Sequence, residues 1–327
     1  MGIKYEEATG MLPPARKPKT LFKKYEGNPI LTRRDWPYPV NGVINPGAAS
    51  VDGETVLLVR AEAPSVISHL TVARSADGFT NWRIEAQPSL QPDPYSREEA
   101  GGLVDPRIVW LEEQKQFAIT YISLDSEGRS VISLAITRDF RTFARLGSLM
   151  RPQEWDASLL PRRFNGRFAL IHRSIIRGQV HIWMSFSPDL KHWGDDRRLI
   201  GTRSTAWDCH RVGLACQPVE TQSGWLLFYC GVCNTDGGPI YRVGLALLHL
   251  NEPWRVLRRS EDWILEPTEP YERVGDTGAV VFPTGATVNR ETGQFNLYYG
   301  TADCSVAVAT ADLNNIFDYI TSCPKVE

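Results

Sequence analysis

Thr71-Val-Ala-Arg-Ser-Ala-Asp77-Gly-Phe-Thr-Asn-Trp82 is an apolar, β-branched run that ends in an Asp-containing turn and then an aromatic residue. The unit returns as Leu134-Ala-Ile-Thr-Arg-Asp139-Phe-Arg-Thr-Phe143 and as Trp183-Met-Ser-Phe-Ser-Pro-Asp189-Leu-Lys-His-Trp193. It returns again as Leu245-Ala-Leu-Leu-His-Leu-Asn251-Glu-Pro-Trp254 and as Val306-Ala-Val-Ala-Thr-Ala-Asp312-Leu-Asn-Asn-Ile-Phe317. The Asp or Asn positions stand 62, 50, 62 and 61 residues apart, which makes five units. Such spacing is the mark of a repeat architecture. A second short strand precedes each turn, as in Gly53-Glu-Thr-Val-Leu-Leu-Val-Arg60 and Gly224-Trp-Leu-Leu-Phe-Tyr229, bounded by Gly, Asn or Asp in the manner of antiparallel hairpins. No long segment holds a helical period. Five repeats of roughly 60 residues fit an all-β, five-bladed β-propeller, in which radial repetition protects sheet edges, better than a two-sheet sandwich. Residues 36–327 are expected to form that propeller. Residues 1–35, rich in Pro and Lys, are expected to form an N-terminal arm against a blade or a neighbouring subunit, which suits a homo-oligomer.

The bulk chemistry narrows the function. With 42% hydrophobic and 23% charged residues, the chain has the composition of a globular protein. A net charge of -2 leaves no cationic excess for a phosphate backbone, so nucleic acid is not an expected partner. No run approaches the roughly 20 apolar residues of a membrane span, and the polar N-terminus lacks a signal core, so no membrane partner and a cytoplasmic location are expected. The six cysteines crowd into the C-terminal half without a disulfide framework. Cys230-x-x-Cys233 lacks a second metal-ligand pair and reads as small residues in a sheet, and no metal or cofactor is expected.

In a propeller, polar residues near the starts of the innermost strands converge on one axial pocket. The candidates are Asn45, Arg60, Glu62, Asp105, Arg107, Asp156, Arg173, Asp208, Arg211, Tyr241, Asp276 and Asp303. Carboxylates accept from hydroxyls and guanidiniums clamp anions, so a sugar with a phosphate suits this mixture.

Several motifs resemble those of glycoside hydrolase family 130, the β-mannoside phosphorylases and related β-mannosidases. Gly101-Gly-Leu-Val-Asp105-Pro-Arg107 is similar to the family's Glu-Asp-Pro-Arg signature. Trp207-Asp-Cys-His-Arg211-Val-Gly213 and Gly224-Trp-Leu-Leu-Phe-Tyr229-Cys230-Gly231-Val232 resemble its Trp-Glu-x-x-Lys-Ile-Gly and Gly-Trp-Leu-x-x-Tyr-His-Gly-Val. Leu160-Pro161 to His172-Arg173, Val280-Val-Phe-Pro283 and Tyr298-Tyr-Gly-Thr-Ala-Asp303 match in kind and order, so the likeness spans about residues 28–318. The resemblance implies a five-bladed propeller and inverting attack on a β-mannoside. Asp105 would be the general acid, acting through the sugar 3-hydroxyl, and inorganic phosphate the co-substrate. It implies phosphate binding by Arg173, Arg211 and Tyr241 and places Asn45, Arg60, Glu62 and Asp303 in the sugar and phosphate subsites, while Arg107, Asp156 and Asp208 are further substrate-binding candidates. For Arg107 a structural ion pair is the competing role.

This sequence departs from the family pattern where Trp155 replaces a basic residue, Cys230 a His and Pro46 a small polar residue. His210, Arg203 or Arg162 would have to supply the missing charge for phosphorolysis. Otherwise water would replace phosphate, with Asp208, Asp156 or Glu62 as the base of an inverting hydrolase. A third reading is a non-catalytic glycan-binding propeller that stacks sugars on Trp36, Trp155 and Trp207.

Overall fold

The structure is a computed structural model that describes residues 21–176 and 179–326. Its strands form five blades. The first contains β2 (Gly42–Val51), β3 (Glu54–Glu62), β4 (Ser68–Ser75) and β5 (Arg83–Ile84), and the second β6 (Gly102–Leu111), β7 (Gln116–Leu124), β8 (Ser130–Thr137) and β9 (Ala144–Ser148). One parallel bridge, Ser68 to Gly102, joins these two into a continuous sheet. The third holds β10 (Trp155–Leu159), β11 (Phe168–Ile176), β12 (Gln179–Ser187) and β13 (Gly194–Ile200). The fourth holds β14 (Arg211–Leu214), β15 (Val219–Thr221), β16 (Gly224–Thr235), β17 (Gly238–Leu248) and β18 (Val256–Arg259). In the fifth, β19 (Val281–Val288), β20 (Gln294–Thr301) and β21 (Ser305–Asp312) are completed by β1 (Lys23–Lys24), which pairs antiparallel with β21. Lys23–Lys24 of the expected arm are therefore an outer strand of the last blade, Ile30 and Leu31 pack into the core between the fifth and first blades, and residues 1–20 lie outside the described residues.

Blades pack face to face, so a middle strand is buried on both sides and reads as an almost continuous apolar run. Along β3, Val56 and Leu58 enter the core shared with the second blade, while Leu57, Val59 and Ala61 enter the core shared with the fifth. Five hydrophobic clusters fill the five blade-to-blade interfaces, and the one containing Val43, Leu57, Tyr298 and Val306 closes the ring.

The repeated Asp has a local cause. Asp77 accepts from the amides of Phe79 and Thr80, Asp139 from those of Arg141 and Thr142, and Asp189 from those of Lys191 and His192. Each is an Asx turn after the third strand of its blade. In the fifth unit the same position, Asp312, caps a helix instead. It accepts from the amides of Asn314 and Asn315 at the start of α2, for which α1 is Pro270–Arg273 and α2 is Leu313–Ser322. Among the described residues no helix is long and apolar enough to cross a membrane.

Candidate active site

Three innermost strands carry the same irregularity. The pairing register slips between Ile44 and Gly47 in β2, between Val104 and Arg107 in β6, and between Trp155 and Ser158 in β10. Each slip contains one residue in the left-handed region: Asn45 at φ 45°, Asp105 at φ 53° and Asp156 at φ 48°. Asn and Asp tolerate that conformation better than other side chains, and a bulge re-aims the side chain it carries. One amide and two carboxylates are thereby presented near the starts of neighbouring inner strands.

Asn45 Nδ2 donates to Asp105 Oδ1 at 2.8 Å, and Arg60 Nη1 stands 3.8 Å from the same oxygen. Arg60 is itself steadied by Nε donating to Ser68 Oγ at 3.1 Å. Asn45 Oδ1 is buried without a donor, an acceptor suited to a ligand hydroxyl. A Cβ at Gly300 would fall 1.9 Å from that oxygen, so only glycine leaves room for the amide. Asp303, at φ 54° in the β20–β21 turn, completes this half. Burial raises its pKa above the ordinary carboxylate range, and the charges of Asp105 and Asp276 add to this against the pull of Thr277 and Arg60. Glu62 lies at the rim, where Oε1 accepts from Asn41 Nδ2 at 3.1 Å.

The other half is cationic. Arg173 Nε is 3.0 Å from Asp156 Oδ2, but off the line of a hydrogen bond, so the pair is held by charge alone. A Cβ at Gly213 would fall 2.5 Å from the same Asp156 oxygen. Arg211 donates to the Tyr241 hydroxyl and lies over its ring, 5.0 Å from the centroid. Burial, and next the Arg173 guanidinium beside it, hold Arg211 below its usual pKa. Two neighbouring guanidiniums face one carboxylate, an imbalance that a bound anion would relieve. Trp155 sits beside them, with the Arg173 guanidinium carbon 5.4 Å from its ring centre. Cys230 is buried close by, and burial, with Asp156 adding to it, pushes its thiol well up.

Several expected residues do other work. Arg107, for which sugar binding and a structural ion pair were the two expected roles, is only 1% exposed. Its Nε donates to Ala215 O at 2.6 Å, Nη2 to Leu214 O at 2.7 Å and Nη1 to Asp105 O at 3.1 Å. With Asp156 Oδ1 3.6 Å from Nη2, it is a buried strut from the Asp105 bulge to the end of β14, and its side chain is 0% exposed. Asp208, expected to bind sugar or act as base, is 0% exposed and sealed by Arg203, Arg259 and the Tyr229 hydroxyl. Arg203 is thus already neutralised, and Arg162 is tied to Glu220 and to Leu250 O. Of the three residues weighed for the missing charge, His210 alone is exposed and, among the described residues, tied to no carboxylate, with Nε2 3.3 Å from Asn234 Nδ2. Trp36 and Trp207 are core side chains, the latter stacked on Tyr229, and offer no platform. The residue that sequence reasoning passed over is Thr277, whose only signal is its place in the Gly275–Gly278 segment before β19. Among the described residues no group of three or more His, Cys, Asp or Glu could hold a metal ion.

The Glyco_hydro_130 family model, described as beta-1,4-mannooligosaccharide phosphorylase, matches residues 16–322. A beta-1,4-mannooligosaccharide phosphorylase of Ruminococcus albus is 31% identical over 94% of this chain and 93% of the relative. A beta-1,2-mannobiose phosphorylase of Listeria innocua is 30% identical over 90% of this chain and 96% of the relative. The solved complex of the Listeria innocua beta-1,2-mannobiose phosphorylase with beta-1,2-mannobiose superposes with a TM-score of 0.83 at 28% identity, covering 92% of this chain and 99% of that one.

Proposed function

The chain belongs to glycoside hydrolase family 130, and from that premise we propose that it is an inverting phosphorylase, cleaving β-mannosides with inorganic phosphate to give α-mannose 1-phosphate. Asp105 delivers the proton that the leaving oxygen needs. Among the described residues its Oδ1 is oriented by Asn45 and Arg60, while its other oxygen has no protein donor and is available to substrate. Asn45 Oδ1, Arg60 and Asp303 present acceptors and a cation to the mannosyl hydroxyls. Arg173, Arg211 and Tyr241 hold the phosphate. A phosphate oxygen forms the new bond to the anomeric carbon as the bond to the leaving oxygen breaks, and this single displacement inverts the centre. Phosphate is already anionic, so no second carboxylate is required as a base.

The observation that carries this reading over hydrolysis is the cationic excess beside Asp156. A hydrolase would need a free carboxylate to deprotonate water. Asp156 is 2% exposed and pinned between Arg107 and Arg173, and Asp208 is sealed, so Glu62 at the rim is what the hydrolytic reading has left. Of the three residues weighed for the missing charge, His210 is the one left untied to a carboxylate among the described residues. A cytoplasmic location and assembly into a homo-oligomer through the N-terminal arm belong to the same proposal. Light scattering on chains with and without residues 1–20 reads the second of these.

The test is incubation with β-1,2- and β-1,4-linked mannosides, with and without phosphate. Mannose 1-phosphate formed only when phosphate is present is the expected product, and equal release of free mannose in both arms overturns the assignment. Asp105→Asn should lower turnover by about 10²- to 10⁴-fold while the mannoside still binds, as measured by calorimetry.

A further inference from the structure

Cys209 and Cys233 take no part in the chemistry above, yet they flank its phosphate-binding arm. Cys209 lies one residue after the sealed Asp208 and two before Arg211, and Cys233 follows Val232, the strand partner of Arg211. Their sulfurs are 3.0 Å apart, and both are free, partly exposed thiols. The sequence pairs Cys233 with Cys230 in a Cys-x-x-Cys. Strand alternation places residues three apart on opposite faces of β16, and Cys230 is buried on the other side, 2% exposed.

We propose that Cys209 and Cys233 are a site of reversible thiol oxidation, which a peroxide closes to a disulfide and which in closing loosens the hold of Arg211 and Tyr241 on phosphate. The second half rests on the phosphorolytic reading and the first does not. Burial and the adjoining thiol raise the Cys209 thiol to about 11. One of the paired sulfurs, as its thiolate, attacks the peroxide, giving a sulfenic acid and hydroxide. The other sulfur then displaces the sulfenic oxygen as water and forms the S–S bond. Two electrons leave the sulfurs, and the peroxide ends as two waters.

A disulfide holds its sulfurs at about 2.05 Å, so roughly 1 Å must be taken up. The Cys209 side is firm, because Asp208 is fixed by Arg203, Arg259 and Tyr229. The yielding side is the β16–β17 turn, whose residues 234–237 are all exposed. That turn leads into Tyr241, which holds the Arg211 guanidinium and whose amide donates to Ala279 O at 3.1 Å. Movement of the turn is passed to the anion ligands rather than to Asp105.

The full chain, reduced and then treated with hydrogen peroxide, is digested without reductant and its peptides weighed. A Cys209–Cys233 linked peptide is expected, with a severalfold higher KM for phosphate, kcat within about a factor of two, and full reversal by dithiothreitol. Cys209→Ser and Cys233→Ser should each keep the reduced kinetics after peroxide. Absence of the linked peptide while other cysteines are oxidised overturns the site, and a linked peptide with unchanged KM overturns its coupling to phosphate. A reduced enzyme indifferent to phosphate refutes phosphorolysis and the coupling with it, and the peptide result then still decides the site.

Discussion

At the scale of single residues, the role proposed for Asp303 sets sugar binding against stability. Its carboxyl holds a proton more tightly in the folded chain than in the unfolded one, because of burial and the nearby charges of Asp105 and Asp276. A group shifted this way subtracts stability above its folded pKa, and the subtraction vanishes once pH falls below the unfolded value of about 3.9. Asp303→Asn should therefore raise Tm at pH 7, with the gain shrinking towards pH 4, while KM for the mannoside rises because an amide accepts fewer hydroxyls. A Tm difference between variant and parent that is the same at both pH values would refute the assignment. Asp208 is the opposite case, a fully buried carboxylate whose partners Arg203 and Arg259 would be left unneutralised by its removal. Asp208→Ala is expected to cost about 3–5 kcal/mol in urea unfolding. A catalytic base would instead lose turnover at undiminished stability.

At the scale of elements, two residues of β1 complete the fifth blade, and their hold comes from their neighbours. Phe22 packs edge-on against Phe228 and Phe295, with ring centres 6.1 and 5.9 Å away. Lys24 reaches the buried Glu272 at 2.5 Å, and Asn28 donates to Val308 O at 2.9 Å. Glu272 also accepts from the amides of Thr268 and Glu269 and from the Tyr299 hydroxyl, so the lead-in to β19 and the outer edge share one carboxylate. Phe22→Ala should cost about 3–5 kcal/mol and speed amide exchange in β21 before other blades. Uniform exchange across all blades would mean that β1 is not a local latch. The bulges of β2, β6 and β10 are the elements that matter for chemistry, since they bring Asn45, Asp105 and Asp156 to the axis from residues 60 and 51 positions apart.

At the scale of the whole molecule, a ligand bound by residues from different blades stabilises the entire ring. If the proposed ligands Arg173 of the third blade and Arg211 and Tyr241 of the fourth hold phosphate, it should raise Tm by mass action, through a stabilisation of about 2.7 kcal/mol at a concentration 100 times its Kd. Chloride at matched ionic strength should not, and Arg173→Ala and Arg211→Ala should each abolish the shift. Persistence of the shift in both variants would place the anion elsewhere. The five units and the all-β architecture were legible in the linear chain, and Asn45, Asp105 and Asp303, picked from it, do lie together. Apolar β-branched runs and Asx turns are local chemistry, carried by neighbours in sequence. The short β1 latch and α2 were not legible, because two lysines carry no strand pattern and the helix begins at an Asp that marks a turn in other blades. Nor were the fates of the charged residues. Arg107 finds its acceptor 108 positions away at Ala215, Asp208 meets Arg259 51 positions on, and Cys233 faces Cys209 instead of Cys230. Residue type tells that a guanidinium or carboxylate needs a partner. Whether the partner is a substrate or another part of the chain depends on which distant strands the closed ring sets side by side, and that only the tertiary structure decided.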